Sequence, residues 1–213
     1  MAIAVRHIQR GFFATLLMLG AIASNAAAAV SLDWTPNSSI TSVGNVISVS
    51  LYAISDGSPT PNQSISSIDM ILNWDPSVLQ LTGVTNNGTY AWGSSMFPAD
   101  GGLDGLNTTW SDGNAFYRAL GQLGSPATAT PTPGLKVTTF NFLALAQTPS
   151  TVVTIPAHAG SFTHTRIQDG ATAGLFVQTA PPWGSVKIQI IPEPTTLVLL
   201  AGAVAAGLRR RSR

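Results

Sequence analysis

Between residues 30 and 191 the apolar residues come in short alternating runs broken by Gly, Pro and Asn, and none repeats at helical period for a useful length. Alternation at a period of two puts every second side chain on one face of a strand. Residues 46–52 place Ile47, Val49 and Leu51 together, and residues 68–74 do the same for Ile68, Met70, Leu72 and Trp74. A third run, residues 79–84, follows an Asp75-Pro76 turn, and residues 135–145 form a long strand. Residues 151–155 and 159–163 are further strands, and residues 186–190 close the series. Strands at this spacing predict an all-β chain, a single antiparallel β-sandwich over residues 30–190. The Pro- and Thr-rich stretch 124–134 reads as a surface insertion between strands, not as a domain boundary.

Such a domain must be held by its core, because the chain has no cysteine for disulfides. About 160 residues suffice for one core. The same lack excludes cysteine nucleophiles, thiolate zinc sites and iron–sulfur clusters. Charged residues are only 9% of the 213, against roughly 25% in a typical globular protein. Six of the ten basic residues lie at the two ends, so residues 30–191 hold four (Arg118, Lys136, Arg166 and Lys187) against eight acidic ones. A mildly acidic body lacks the clustered Lys and Arg that a nucleic-acid partner needs.

The ends point to export. Arg6, His7 and Arg10 precede an apolar stretch, residues 11–23, and Ala26 to Ala29 offer small-residue cleavage sites, so residues 1–29 read as a signal peptide with a helical apolar segment. At the other end Pro192-Glu193-Pro194 is followed by an apolar stretch to Leu208, then by Arg209, Arg210, Arg211, Ser212 and Arg213. The uninterrupted apolar part, Leu197 to Leu208, has 12 residues. A spanning helix needs about 20, so this transmembrane segment is short and suits a temporary anchor. The arginines would stop it on the cytoplasmic side and leave the body outside. The prolines keep Glu193 in an extended segment. Pro192, Glu193 and Pro194, the apolar stretch and the arginines together resemble the PEP-CTERM sorting signal of Gram-negative bacteria that make extracellular polysaccharide. The resemblance implies recognition by exosortase at the inner membrane, processing near the motif, and a final place at the cell surface or in a biofilm matrix. The domain boundaries then fall at 1–29, 30–190 and 191–213.

Within the body, Trp74, Asp75, Pro76, Val78, Leu79 and Val84 resemble the cohesin domain, in which a strand ends in an aromatic-Asp-Pro turn followed by an apolar residue, Leu and a second strand. Residues 138–145 match the Phe-containing strand of that family. The resemblance implies a jelly-roll sandwich related to carbohydrate-binding modules, and a sheet face that binds a protein partner, as cohesins bind dockerins. The turn itself is a matter of local physics: Asp accepts backbone hydrogen bonds, Pro fixes the next φ, and Leu79 returns to the core.

Candidate chemistry is sparse. Tyr90, Trp92 and Trp110 lie in a stretch with several Asp and Asn, and aromatic planes beside polar groups suit polysaccharide; ordinary packing is the alternative for the same rings. Asp100, Asp104 and Asn107 offer oxygen ligands of the kind calcium takes, although the loop lacks the EF-hand pattern and an Asp/Gly turn explains it as well. No other cofactor or metal is expected. His158 and His164 lie six apart with no third ligand nearby in sequence, which is a poor start for a catalytic metal site. No catalytic motif is present. The expected function is that of a non-enzymatic surface or matrix protein whose sandwich binds polysaccharide or a surface protein, with a purely structural matrix role as the alternative and a calcium-dependent module or enzyme ranked after it.

Overall fold

The computed structural model describes residues 30–57, 60–86, 92–99, 103–122, 124–172, 176–178 and 183–193. Among these there are fifteen strands and one 3-10 turn, Trp110–Asp112, and no α-helix. The expected signal peptide, residues 1–29, and the tail from Pro194 through the expected transmembrane segment to Arg209, Arg210 and Arg211 lie outside the described residues.

Three sheets and a small hairpin build the domain. The first sheet runs in the order β1 (Val30–Thr35), β3 (Val46–Ser55), β9 (Leu135–Ala144) and β5 (Leu79–Thr85), all antiparallel. The second runs β14 (Phe176–Gln178), β13 (Arg166–Asp169), β4 (Gln63–Asn73), β7 (Asn114–Gly121) and β6 (Trp92–Met96), and β8 (Ala127–Ala129) pairs with the start of β4. The third runs β10 (Thr148–Val153), β15 (Val186–Ile191) and β2 (Ser38–Ser42). The hairpin joins β11 (His158–Ala159) to β12 (Thr163–His164).

The two larger sheets face each other across one core. Phe140 of β9 meets Tyr117 of β7 edge-on at 5.3 Å between ring centroids. Ile47, Val49 and Leu51 from the first sheet and Ile68, Met70 and Leu72 from the second all belong to that core, as the alternation predicts. Val186, Ile188 and Ile190 of β15 and Val153 of β10 join it, so the third sheet closes a side of the same interior. At its end β10 crosses to the second sheet, where Asn73 and Thr154 exchange both backbone hydrogen bonds.

Four features depart from the sequence expectation. The sandwich is not wholly antiparallel: β15 runs parallel to β2, with Lys187 opposite Ser38 and Ile191 opposite Ser42. Pairing direction follows from where the chain closes, and periodicity carries no trace of it. Residues 159–163 are not one strand but a hairpin, because Gly160 adopts φ +58° and reverses the chain. The stretch 124–134 is not a surface insertion throughout: Ala127 and Ala129 are buried core residues of β8, which pairs with Gln63–Ile65. Its Ala-Thr-Ala pattern is alternation too small in side chain to register as a strand. Finally, β2, β6, β7, β13 and β14 had no clear signal, being short or interrupted by polar residues, whereas β1 alternates cleanly, with Val30, Leu32 and Trp34 in the core, and was not singled out.

Candidate functional site

The aromatic-Asp-Pro turn folds as the local physics requires. The Asp75 carboxylate accepts from the Ser77 hydroxyl at 2.6 Å and the Ser77 amide at 2.9 Å, and these bonds hold its pKa below the usual 3.8. The Asp75 carbonyl accepts from the Leu79 amide at 3.0 Å, which turns the chain back into β5. Trp74 donates its indole N–H to the Leu79 carbonyl at 3.0 Å and packs edge-on against Phe142. The Trp74 amide donates to the carbonyl of Gly113, whose φ of +82° and closeness to the Trp74 carbonyl and Pro76 leave no room for a side chain. Trp74, Asp75, Pro76 and Leu79 thus tie β4 to β5 and to the end of the 3-10 turn. They are a structural joint.

The outer face of the six-stranded sheet is built differently. Register places Arg166, Asp69 and Arg118 side by side on β13, β4 and β7, with Met96 of β6 next in the row. Residues 68, 70 and 72 point into the core, so Asp69 points away from it. Its side chain is nevertheless only 5% exposed, because the two arginines cover it. Arg118 grips it with both sides of the fork, Nε to Oδ1 at 2.6 Å and Nη2 to Oδ2 at 3.0 Å; Arg166 adds Nε to Oδ2 at 3.2 Å. The hydrogen bond to Asp69, with its charge, raises the Arg118 pKa against the opposing effect of burial.

One carboxylate cannot neutralise two guanidiniums, so the row keeps a net positive charge. Each arginine also lies over an aromatic ring, Arg118 over Phe116 at 5.4 Å and Arg166 over Phe176 at 5.3 Å. The guanidiniums are thereby held in place with 36% and 40% of their side-chain surface still open. Met96, Leu120 and Phe176 are exposed apolar side chains on the same face. One end is roofed by the loop at Leu103 and Leu106 and by Ala159, which pack on Ile71 and Phe116. Sequence reasoning did not single out this row. A signal was present: Asp69 interrupts an apolar run, and two of the four basic residues of the body are its partners.

The other sequence candidates fall elsewhere. Tyr90 and Asp100 lie outside the described residues. The backbone of Trp92 pairs with Gly121, and its side chain is not described. Trp110 is half-buried and packs on Phe97 at 4.7 Å, and Phe97 in turn meets Tyr117 at 5.1 Å. Trp110 and Phe97 also edge a shallow cleft of about 270 Å³ that reaches Asn107. Asn107 is fully engaged: its amide donates to the carbonyls of Pro98 and Phe116, and its oxygen accepts from the Phe116 amide at 2.8 Å. Asp104 accepts from the amides of Ser161, Phe162 and Thr163 at 3.2, 3.0 and 2.7 Å. Desolvation pushes its pKa up, but these amides prevail and leave it below 3.8. Asp104 and Asn107 therefore spend their oxygens on the fold. Among the described residues no group of three or more His, Cys, Asp or Glu could hold a metal.

Of the expected sorting motif Pro192-Glu193-Pro194, Pro192 and Glu193 are described. They follow directly on Ile191, the last residue of β15, whose carbonyl accepts from the Val43 amide at 3.1 Å.

Neither a protein-family model nor a curated protein sequence matches the chain. Solved structures of cohesins are similar to it in fold. A cohesin module of a family 33 glycoside hydrolase from Clostridium perfringens matches with a TM-score of 0.53 and 11% identity, over 78% of this chain and 99% of that one. The third cohesin of ScaC from Acetivibrio cellulolyticus, solved with the ScaB dockerin, matches with a TM-score of 0.51 and 12% identity, over 77% and 99%. A type I cohesin–dockerin complex containing the OlpA cohesin of Clostridium thermocellum matches with a TM-score of 0.50 and 11% identity, over 78% and 99%. The described residues thus form a cohesin-like β-sandwich, and a likeness at this identity concerns the fold.

Proposed function

We propose that the chain is a non-enzymatic, exported binding module whose six-stranded sheet docks a protein partner on its outer face. The observation that carries this is the row Arg166–Asp69–Arg118, clamped over Phe176 and Phe116 and flanked by exposed Met96, Leu120 and Phe176. Arginine, methionine and aromatic residues are the types enriched in protein interfaces. Guanidiniums already fixed by a carboxylate and a ring lose little freedom on binding. The complementary partner surface carries carboxylates among apolar side chains. The cohesin-like fold supports the same reading, since the ScaC and OlpA neighbours were solved with dockerins as partners.

Photo-crosslinking on the producing cells tests it. A photoreactive residue at Leu120 is expected to give a discrete protein adduct, and one at Val152 of β10 none; adducts at Val152 alone, or at neither site, would overturn the reading. Polysaccharide remains the second ligand class, on the strength of the cleft beside Trp110. A glycan array with and without calcium separates the two: binding that Trp110→Ala abolishes would move the site there.

The export side of the proposal rests on the two ends. A signal peptide over residues 1–29 delivers the domain outward, and the PEP-CTERM-like tail of Pro192, Glu193, Pro194, apolar segment and arginines offers it to exosortase. The domain is then held at the inner membrane and released to the surface or matrix. Mass spectrometry of the extracellular form checks this, and an intact Arg213 terminus there would refute tail processing.

A further inference from the structure

The two histidines that look unrelated in sequence are cross-strand partners. The β11–β12 register sets His158 directly opposite His164, and Ala159 opposite Thr163. Directly opposed residues project on the same side. Thr163 is buried and Ala159 packs on the Ile71–Phe116 cluster, so both imidazoles project outward, and both are exposed. Their ring centroids are 6.3 Å apart, with the planes 30° from parallel.

From this geometry we infer that His158 and His164 form a binding site for a divalent first-row transition metal such as Zn²⁺, Ni²⁺ or Cu²⁺. A Zn–N bond of about 2.0–2.1 Å puts each ring centroid roughly 3.2 Å from the ion. Two rings on one ion then stand about 4.5–5.5 Å apart at ordinary bond angles and up to roughly 6.4 Å when opposed. The observed separation lies inside that limit, and torsion of two exposed side chains closes the rest.

Two further details suit the role. His164 Nδ1 is 3.2 Å from the Phe162 carbonyl oxygen. With the proton on Nδ1 that contact is a hydrogen bond, which orients the ring and leaves the Nε2 lone pair outward. The scaffold beneath is stiff: Gly160 makes the reversal, and Asp104 binds three consecutive turn amides. A chain without cysteine has imidazole as its softest good ligand, so the site selects these metals over calcium. The site supplies two nitrogens, and the other coordination positions go to water. It stands independently of the docking face, although the same hairpin roofs one end of that face.

Calorimetric titration of Zn²⁺ and Ni²⁺ into the full chain, in detergent micelles and without an affinity tag, tests the inference. Saturable binding of one ion per chain is expected, and calcium is expected to leave it unchanged. His158→Ala and His164→Ala are each expected to weaken binding about tenfold or more. His164→Asn retains an amide donor near the Nδ1 position but lacks the outer nitrogen, and it should weaken binding as much while the hairpin stays folded. His7→Ala should change nothing. Zinc binding that survives the double substitution at His158 and His164, or the absence of saturable binding to the unaltered chain, would overturn the site.

Discussion

Asp69 sits inside the apolar run 68–72, where a carboxylate has no place unless it is paired. Its partners share the load unequally. Arg118 binds it through two atoms and Arg166 through one longer contact. Arg118→Ala is therefore expected to destabilise the fold by about 1–3 kcal/mol, with part of that range offset by the solvent that reaches the pair, and Arg166→Ala by less. In a domain of this size each kcal/mol shifts Tm by about 2–4 °C, so thermal melts resolve the order. Asp75 and Asp104 make a different prediction. Both have folded pKa values below 3.8, held there by hydrogen bonds from Ser77 and from the turn amides respectively, despite desolvation in each case. Their contribution to stability is complete above that value and fades as pH falls through the lower folded values. Melting temperature should thus drop on acidification below about pH 4, and Asp104→Asn should flatten that part of the curve.

Among the elements, β3 and β15 were legible because each carries large apolar residues at a strict period of two, which only a half-buried strand satisfies, and β4, β5 and β9 because each holds a shorter alternating stretch beside a register shift. The weaker elements were not. Strand β8 has alanine as its only apolar residue, and its burial comes from the fit against β4, not from side-chain size. Read as an insertion, residues 126–131 could be exchanged for a Gly/Ser linker without cost. The structure predicts otherwise: the exchange takes the buried Ala127 and Ala129 methyls out of the core and puts glycine into the strand that pairs with Gln63–Ile65, where each Gly in place of Ala costs about 0.5–1 kcal/mol. Urea unfolding of the exchanged chain should show a clear loss of midpoint, and an unchanged midpoint would return the stretch to the surface. The β11–β12 hairpin shows the same limit from another side. The His158–His164 pair exists only because Gly160 and Asp104 fold five residues back on themselves.

For the whole molecule, closure depends on β15. It sits between β10 and β2, and Val186, Ile188 and Ile190 enter the common core. Burying one such side chain contributes about 1.5–3 kcal/mol, so three approach the roughly 5–15 kcal/mol of a whole domain. A chain of residues 30–185 is expected to be unfolded by near-UV circular dichroism and protease sensitivity, and one of residues 30–193 to be native. The sequence by itself determined that the body is an all-β sandwich joined by the Trp74–Leu79 turn, and that the core must do without disulfides. These follow from periodicity, turn chemistry and composition, which are local properties of the chain. Tertiary structure alone decided the parallel β15–β2 pair, the Arg166–Asp69–Arg118 row and the facing histidines. Each joins residues far apart or reversed by a turn, and register between strands is fixed by the packing of the whole core.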